Sequence, residues 1–159
     1  MVLGWVRLVW VLGQAGWGPI RPVEAPMTSI DSRYEGALRC QSCHGPSGTL
    51  LETDAPTDNQ GLGERFSPTD LVATALATCI LTILGIVAER HGWGLEGASA
   101  RTEKTMTSQA PRRLAQLEVW ITLPASLTEQ QRAELQRAGE SCPVKLSLEG
   151  CVVMVLHWD

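Results

Sequence analysis

The chain has 159 residues, 44% hydrophobic and 19% charged, the balance of a globular domain and not of a disordered segment. A formal net charge of −4, with Arg112 and Arg113 as the only adjacent basic pair, argues against a nucleic-acid partner. The five cysteines, at 40, 43, 79, 142 and 151, are odd in number and too sparse for a disulfide framework, which points to a reducing, cytoplasmic setting.

Residues 1–26 differ from the rest: they hold Trp5, Trp10 and Trp17, half of the six tryptophans, and only Arg7, Arg21 and Glu24 carry charge. A signal peptide is one reading, with Leu8 to Leu12 as its very short apolar core, but Gly13, Gln14, Gly16 and Gly18 break the apolar run and no small-residue cleavage site follows. The other reading is an N-terminal extension, disordered or outside the native product, with Met27 as an alternative start and 27–159 as the domain. Arg33 to Cys40 and Gly48 to Thr53 read as strands around a Gly/Pro/Ser turn at 45–48, followed by a loop in "DAPTDNQGLGERF". "SPTDLVATALATCILTILGIVAERHG" predicts a long helix. Ser67 is its N-cap, Pro68 suits the first turn, Asp70 can return the capping bond, and Gly92 ends it.

From Leu71 to Ala88 this helix carries no charge over 18 residues, at the lower limit for a membrane span. Thr74, Thr78 and Thr82 form a polar stripe along it, and the rest of the chain alternates as a soluble domain does. The helix therefore reads as buried at the centre of a fold or of a dimer, with no membrane partner. Strands follow at about Ala98 to Ser108 and Leu114 to Leu123. A second helix opens with a capping box from Ser126 to Glu129, "CPVKLSL" suggests an extra helical turn, and "CVVMVLHW" closes as a strand with Cys151 in its core. The order β-β-α-β-β-α-β indicates an α+β protein with antiparallel strands.

Two sets of residues could carry chemistry. Cys40, Cys43 and His44 spell C-x-x-C-H, the attachment pattern of c-type haem, yet Cys40 continues a strand, and Met106 and Met154, the candidate distal ligands, also fall in strands. A zinc site needs about four ligands, and no second cluster supplies them. A strand cysteine and a loop cysteine without cofactor are the simpler reading. Cys79 sits in the third turn of the apolar helix, where an inert buried thiol would also fit. Cys142 lies just after a helix, and two such thiols are what a two-cysteine redox cycle needs, one attacking as thiolate and one resolving.

"HGPSGTLLETDAPTDNQGLGERFSPTDLVATALATC", His44 to Cys79, with "RAGESCPVKLSL" further on and "YEGALRC" upstream, resembles the OsmC/Ohr family (osmotically induced protein C and organic hydroperoxide resistance protein). The likeness runs from Tyr34 to Trp158. It absorbs His44, Gly45, Ser47 and Gly48 and leaves C-x-x-C-H a coincidence. It implies an OsmC-like α+β fold, antiparallel sheets around a long central apolar helix, in which two chains intertwine as a homodimer with its active sites at the interface. It also implies thiol-dependent reduction of organic hydroperoxides, with Cys79 as peroxidatic thiolate and Cys142 as resolving thiol. A dithiol such as a lipoylated protein would be the external reductant, without metal or haem. The family lowers its thiol pKa with an Arg from an N-terminal strand, for which Arg39 is the candidate by region, organised by a Glu after the Pro of the helix start. Here that position is Thr69. Asp70 is next and Glu64 lies upstream, so Asp70 either supports the arginine or simply caps the helix. The departure leaves a second reading open, a non-catalytic OsmC-like protein that binds a small apolar ligand or senses stress through its dimer cleft.

Overall fold

The computed structural model describes residues 27–159; the readings made for 1–26 lie outside the described residues. Three strands, β1 (Ile30–Gly36), β2 (Arg39–His44) and β3 (Leu50–Asp54), form an antiparallel sheet in that order. A 24-residue helix α1 (Pro68–His91) follows, then β4 (Ser99–Met106), β5 (Leu114–Thr122), α2 (Glu129–Glu140), α3 (Pro143–Leu148) and β6 (Val153–Trp158). The last three strands make a second sheet, ordered β4-β5-β6.

α1 begins and ends where its sequence predicts. The Ser67 hydroxyl accepts from the Asp70 amide, the Asp70 carboxylate accepts from the Ser67 amide, and Gly92 closes the helix in the left-handed region that glycine enters at no steric cost. Length and composition would let α1 cross a membrane. One stripe of it, Leu76, Ile80, Leu84 and Ala88, instead packs beneath the second sheet against Leu117, Val119 and Ile121 of β5 and Leu135 of α2. Each fully buried leucine or isoleucine there contributes about 2 kcal/mol relative to exposure. Thr74, Thr78 and Thr82 satisfy their hydroxyls on the carbonyls of Asp70, Thr74 and Thr78, so the polar stripe costs the helix little.

Four sequence expectations are corrected. The strand expected over Arg33–Cys40 is two strands, because Ala37 and Leu38 both adopt positive φ (49° and 62°) and turn the chain between β1 and β2. That two-residue hairpin geometry normally selects Asn or Gly, so "GALR" gives no signal for it. β6 runs parallel to β5, with Leu117 opposite Met154 and Ile121 opposite Trp158. The connection through α2 and α3 is long enough to cross over and return in the same direction. The capping box of α2 is Thr128 with Gln131, not Ser126 with Glu129. Leu127 is buried immediately before the cap, while Arg132 holds the carbonyls of Pro124 and Leu127, which keeps that segment out of the helix. Cys151 is exposed in the turn before β6 and not in the core. The strand starts two residues later because Gly150, at φ +79°, spends that stretch on a turn.

Candidate functional site

The parallel crossover has a chemical consequence. It carries the chain from β5 through α2 and sets the start of α3 against the middle of α1, bringing Cys142 to Cys79. Cys142 is fully buried, and its thiol neighbours that of half-buried Cys79. The backbone fixes it tightly: the Cys142 amide donates to the Gly139 carbonyl at 3.1 Å, and the Leu146 amide donates to the Cys142 carbonyl at 3.0 Å. Pro143 has no amide to offer, so the first donors turned toward the sulfur come from further along α3, and the Lys145 amide reaches Sγ at 3.5 Å. Burial pushes the Cys142 thiol above its ordinary pKa and the neighbouring Cys79 adds to this, while the amides of Lys145 and Val144 pull the other way. Cys142 therefore keeps its proton more firmly than a free thiol does.

Arg39 and Asp70 are not hydrogen-bonded to either thiol. The Arg39 guanidinium pairs with the exposed Glu64 and lies 3.6 Å from the fully buried Asp54. Asp54 accepts from the Glu64 amide at 3.1 Å. That bond, against the cost of burial and with the charge of Arg39, holds its carboxyl below the usual carboxylate range. Arg39 Nε and Asp54 Oδ1 are buried without a partner among the described residues. Asp70 caps α1 and lies 2.6 Å from Lys104 Nζ, which also donates to Thr69 Oγ1 at 2.9 Å. Partial burial works against the Asp70 charge, and the hydrogen bonds from Lys104 and Ser67 overcome it, so this carboxyl too is held low.

Asp54 and Lys104 were not singled out in the sequence. Lys104 had a signal: on the alternating strand "SARTEKTM" it shares the inward face with Ala100 and Thr102, an unusual place for a lysine. Asp54, at the end of β3, had none.

The C-x-x-C-H run lies entirely in β2. Residues three apart on a strand point to opposite faces, so Cys40 and Cys43 do not present their thiols to one porphyrin. His44 Nδ1 is 2.6 Å from Ser47 Oγ, tying the β2–β3 turn. Among the described residues no group of three or more His, Cys, Asp and Glu side chains is arranged to hold a metal ion. His91 pairs with Glu134, and His157 pairs with Glu118 and stacks on Trp120, both on the surface. Along α1 and β4 runs a cleft of about 770 Å³ lined by Phe66, Ala73, Ala77, Leu81, Thr102 and Lys104, among others.

The fold is that of a small α+β protein in which two cysteine side chains come together between helices. The chain belongs to the OsmC-like protein family, whose sequence profile matches residues 61–157. It is similar to a candidate osmotic stress induced and detoxification response protein from Psychrobacter arcticus, at 36% identity and a TM-score of 0.78 over 85% of this chain and 98% of that one. The fold is also that of an organic hydroperoxide resistance protein OsmC from Legionella pneumophila (18% identity, TM-score 0.68, 84% and 97% covered). A candidate organic hydroperoxide resistance protein from Vibrio cholerae, with captopril in one of its active sites, shares it as well (17% identity, TM-score 0.67, 89% and 95% covered). None of the curated proteins matches in sequence.

Proposed function

We propose that the protein is a cysteine-based hydroperoxide reductase in which Cys79 attacks the peroxide and Cys142 resolves the product to a disulfide. The observation that carries this reading is the contact between the two thiols, which lie 63 residues apart in the chain and meet with one of them wholly buried. A dithiol, for example a lipoylated protein, returns the disulfide to the thiols, and the cycle uses no haem or metal. The working unit is a cytoplasmic homodimer. Supporting that unit, the first sheet packs little on the rest of its own chain and leaves Ile30, Tyr34 and Leu51 exposed, while α1 leaves Ile86 exposed. A second copy covering these faces would seat the apolar helices in a shared core.

Rapid mixing with cumene hydroperoxide tests the reading: the wild type consumes one equivalent and acquires a Cys79–Cys142 link by non-reducing mass spectrometry, and Cys79→Ser consumes none above background. Equal rates for the two proteins would remove Cys79 from the chemistry. One observation favours the alternative of a non-catalytic binder of a small apolar ligand. The cation expected at the thiols, Arg39, is committed to Asp54 and Glu64, and the cleft along α1 has an apolar floor. A binder would take up ligand with Cys79 left reduced.

A further inference from the structure

Breaking an alkyl hydroperoxide with a thiolate expels an alkoxide, a far stronger base than any carboxylate, and the step is slow unless a proton reaches the leaving oxygen. Thr102 Oγ1, buried at the cleft, has no partner among the described residues, but a threonine hydroxyl is a much weaker acid than a thiol; the other hydroxyls and the cations around α1 are engaged. Thr74, Thr78 and Thr82, the hydroxyls flanking Cys79 on α1, donate to main-chain carbonyls at 2.9, 2.8 and 2.8 Å. Lys104 is held by Asp70 at 2.6 Å, Lys145 by Glu140 at 3.2 Å, and Arg39 by Asp54 and Glu64. The acidic hydrogen against Cys79 is that of Cys142.

Resting on the hydroperoxide-reductase reading, we infer that Cys142 is the general acid of the first step as well as the resolving thiol of the second, because its buried sulfur lies beside Cys79 with the Lys145 amide donating to it. As the Cys79 thiolate bonds to the terminal peroxide oxygen, the O–O bond breaks and its electron pair leaves on the alkoxide oxygen. That oxygen takes the Cys142 proton and departs as alcohol. Cys79 is then a sulfenic acid and Cys142 a thiolate. The thiolate attacks the Cys79 sulfur, the S–O bond breaks, hydroxide leaves and is protonated by solvent, and the disulfide remains for the dithiol reductant. Burial and Cys79 hold the proton on Cys142 until the peroxide arrives. Once it has gone, the Lys145 amide bonds an anionic sulfur, which strengthens that bond. Donating the proton thus arms the nucleophile when its target appears.

Single-turnover oxidation of Cys79 in the full chain, followed by peroxide loss and by sulfenate trapping, tests this with the wild type, Cys142→Ala and Cys142→Ser. Two oxidants are compared: cumene hydroperoxide, whose leaving group needs a proton, and peracetic acid, whose acetate leaving group does not. Cys142→Ala is expected to oxidise about 100-fold more slowly with cumene hydroperoxide and at nearly the wild-type rate with peracetic acid, and Cys142→Ser to recover part of the loss. An undiminished Cys142→Ala rate with cumene hydroperoxide, or the same loss with both oxidants, would overturn the acid role while leaving Cys79 as the nucleophile. A wild type whose Cys79 reacts with peracetic acid but not with cumene hydroperoxide would overturn the reductase reading and this step with it.

Discussion

Gly139, in the last turn of α2, is the tightest contact supporting the thiol site. A Cβ placed on it would lie 2.5 Å from Trp158 Cη2, 3.0 Å from Trp158 Cζ2 and 3.4 Å from Ile80 Cγ2. Carbon atoms pack comfortably at about 3.5–4.0 Å, so an alanine here demands a relative shift of roughly 1 Å. The atom in the way belongs to a rigid indole on β6, whose neighbour across the strands is Ile121 of the core, so α2 must give way and not the ring. Replacing a helical glycine by alanine gains up to about 1 kcal/mol of backbone preference, whereas overpacking a well-filled core costs about 1–3 kcal/mol. The overlap is a full ångström, which places the cost toward the upper end, and Gly139→Ala should be destabilised by about 1–2 kcal/mol. Urea unfolding at one fixed protein concentration measures this, with an unchanged slope and a lower midpoint. Because the Cys142 amide donates to the Gly139 carbonyl, the same shift displaces the thiol, and disulfide formation after peroxide should slow alongside. A variant as stable as the wild type, or more stable, would show that alanine's helix preference wins and that the indole does not rest on Gly139.

Two further predictions concern the charged and capping groups around α1. Ser67 is almost wholly buried and caps α1 through the Asp70 amide at 3.2 Å; Ser67→Ala should lower stability by about 1 kcal/mol, read as a lower urea midpoint, and an unchanged midpoint would refute the cap's contribution. Asp54 and Asp70 both ionise below their ordinary value of 3.8 in the folded chain, so folding favours their charged forms; the stability they contribute is complete above that value and fades as pH falls through their folded pKa values. Asp54→Asn should therefore be less stable than the wild type at neutral pH, with the gap closing as the solution is acidified below about pH 4, and a gap that stays constant with pH, followed by circular dichroism, would refute the linkage.

What the sequence disclosed follows the range of the interactions involved. α1 was legible from cap to cap because Ser67, Pro68, Asp70 and Gly92 act within a turn of their own positions. The β1–β2 hairpin was hidden because Ala37 and Leu38 take a conformation their side chains resist, so the turn is imposed by pairing Arg33 with Gln41 and Asp31 with Cys43 and not announced locally. The parallel sense of β6 was hidden for a related reason: alternation reveals which face of a strand is buried and says nothing of its direction.

The same distinction divides the candidate site. Cys79 and Cys142 could be named from their segments by resemblance, yet whether they meet depends on β6 lying parallel beside β5, since an antiparallel return would carry the α2–α3 connection elsewhere. The cations show the limit from the other side. Resemblance directed attention to an arginine near the thiols, and within the chain Arg39 is spent on Asp54 and Glu64, contacts made across 15 and 25 residues that no local pattern records. Thr69 meets a cation as well, but it is Lys104, 35 residues away, whose charge Asp70 already balances. With both cations paired to carboxylates within the chain, the proposed mechanism leaves holding and releasing a proton near Cys79 to Cys142. That is why the leaving-group comparison bears on the mechanism more directly than removal of either cation would.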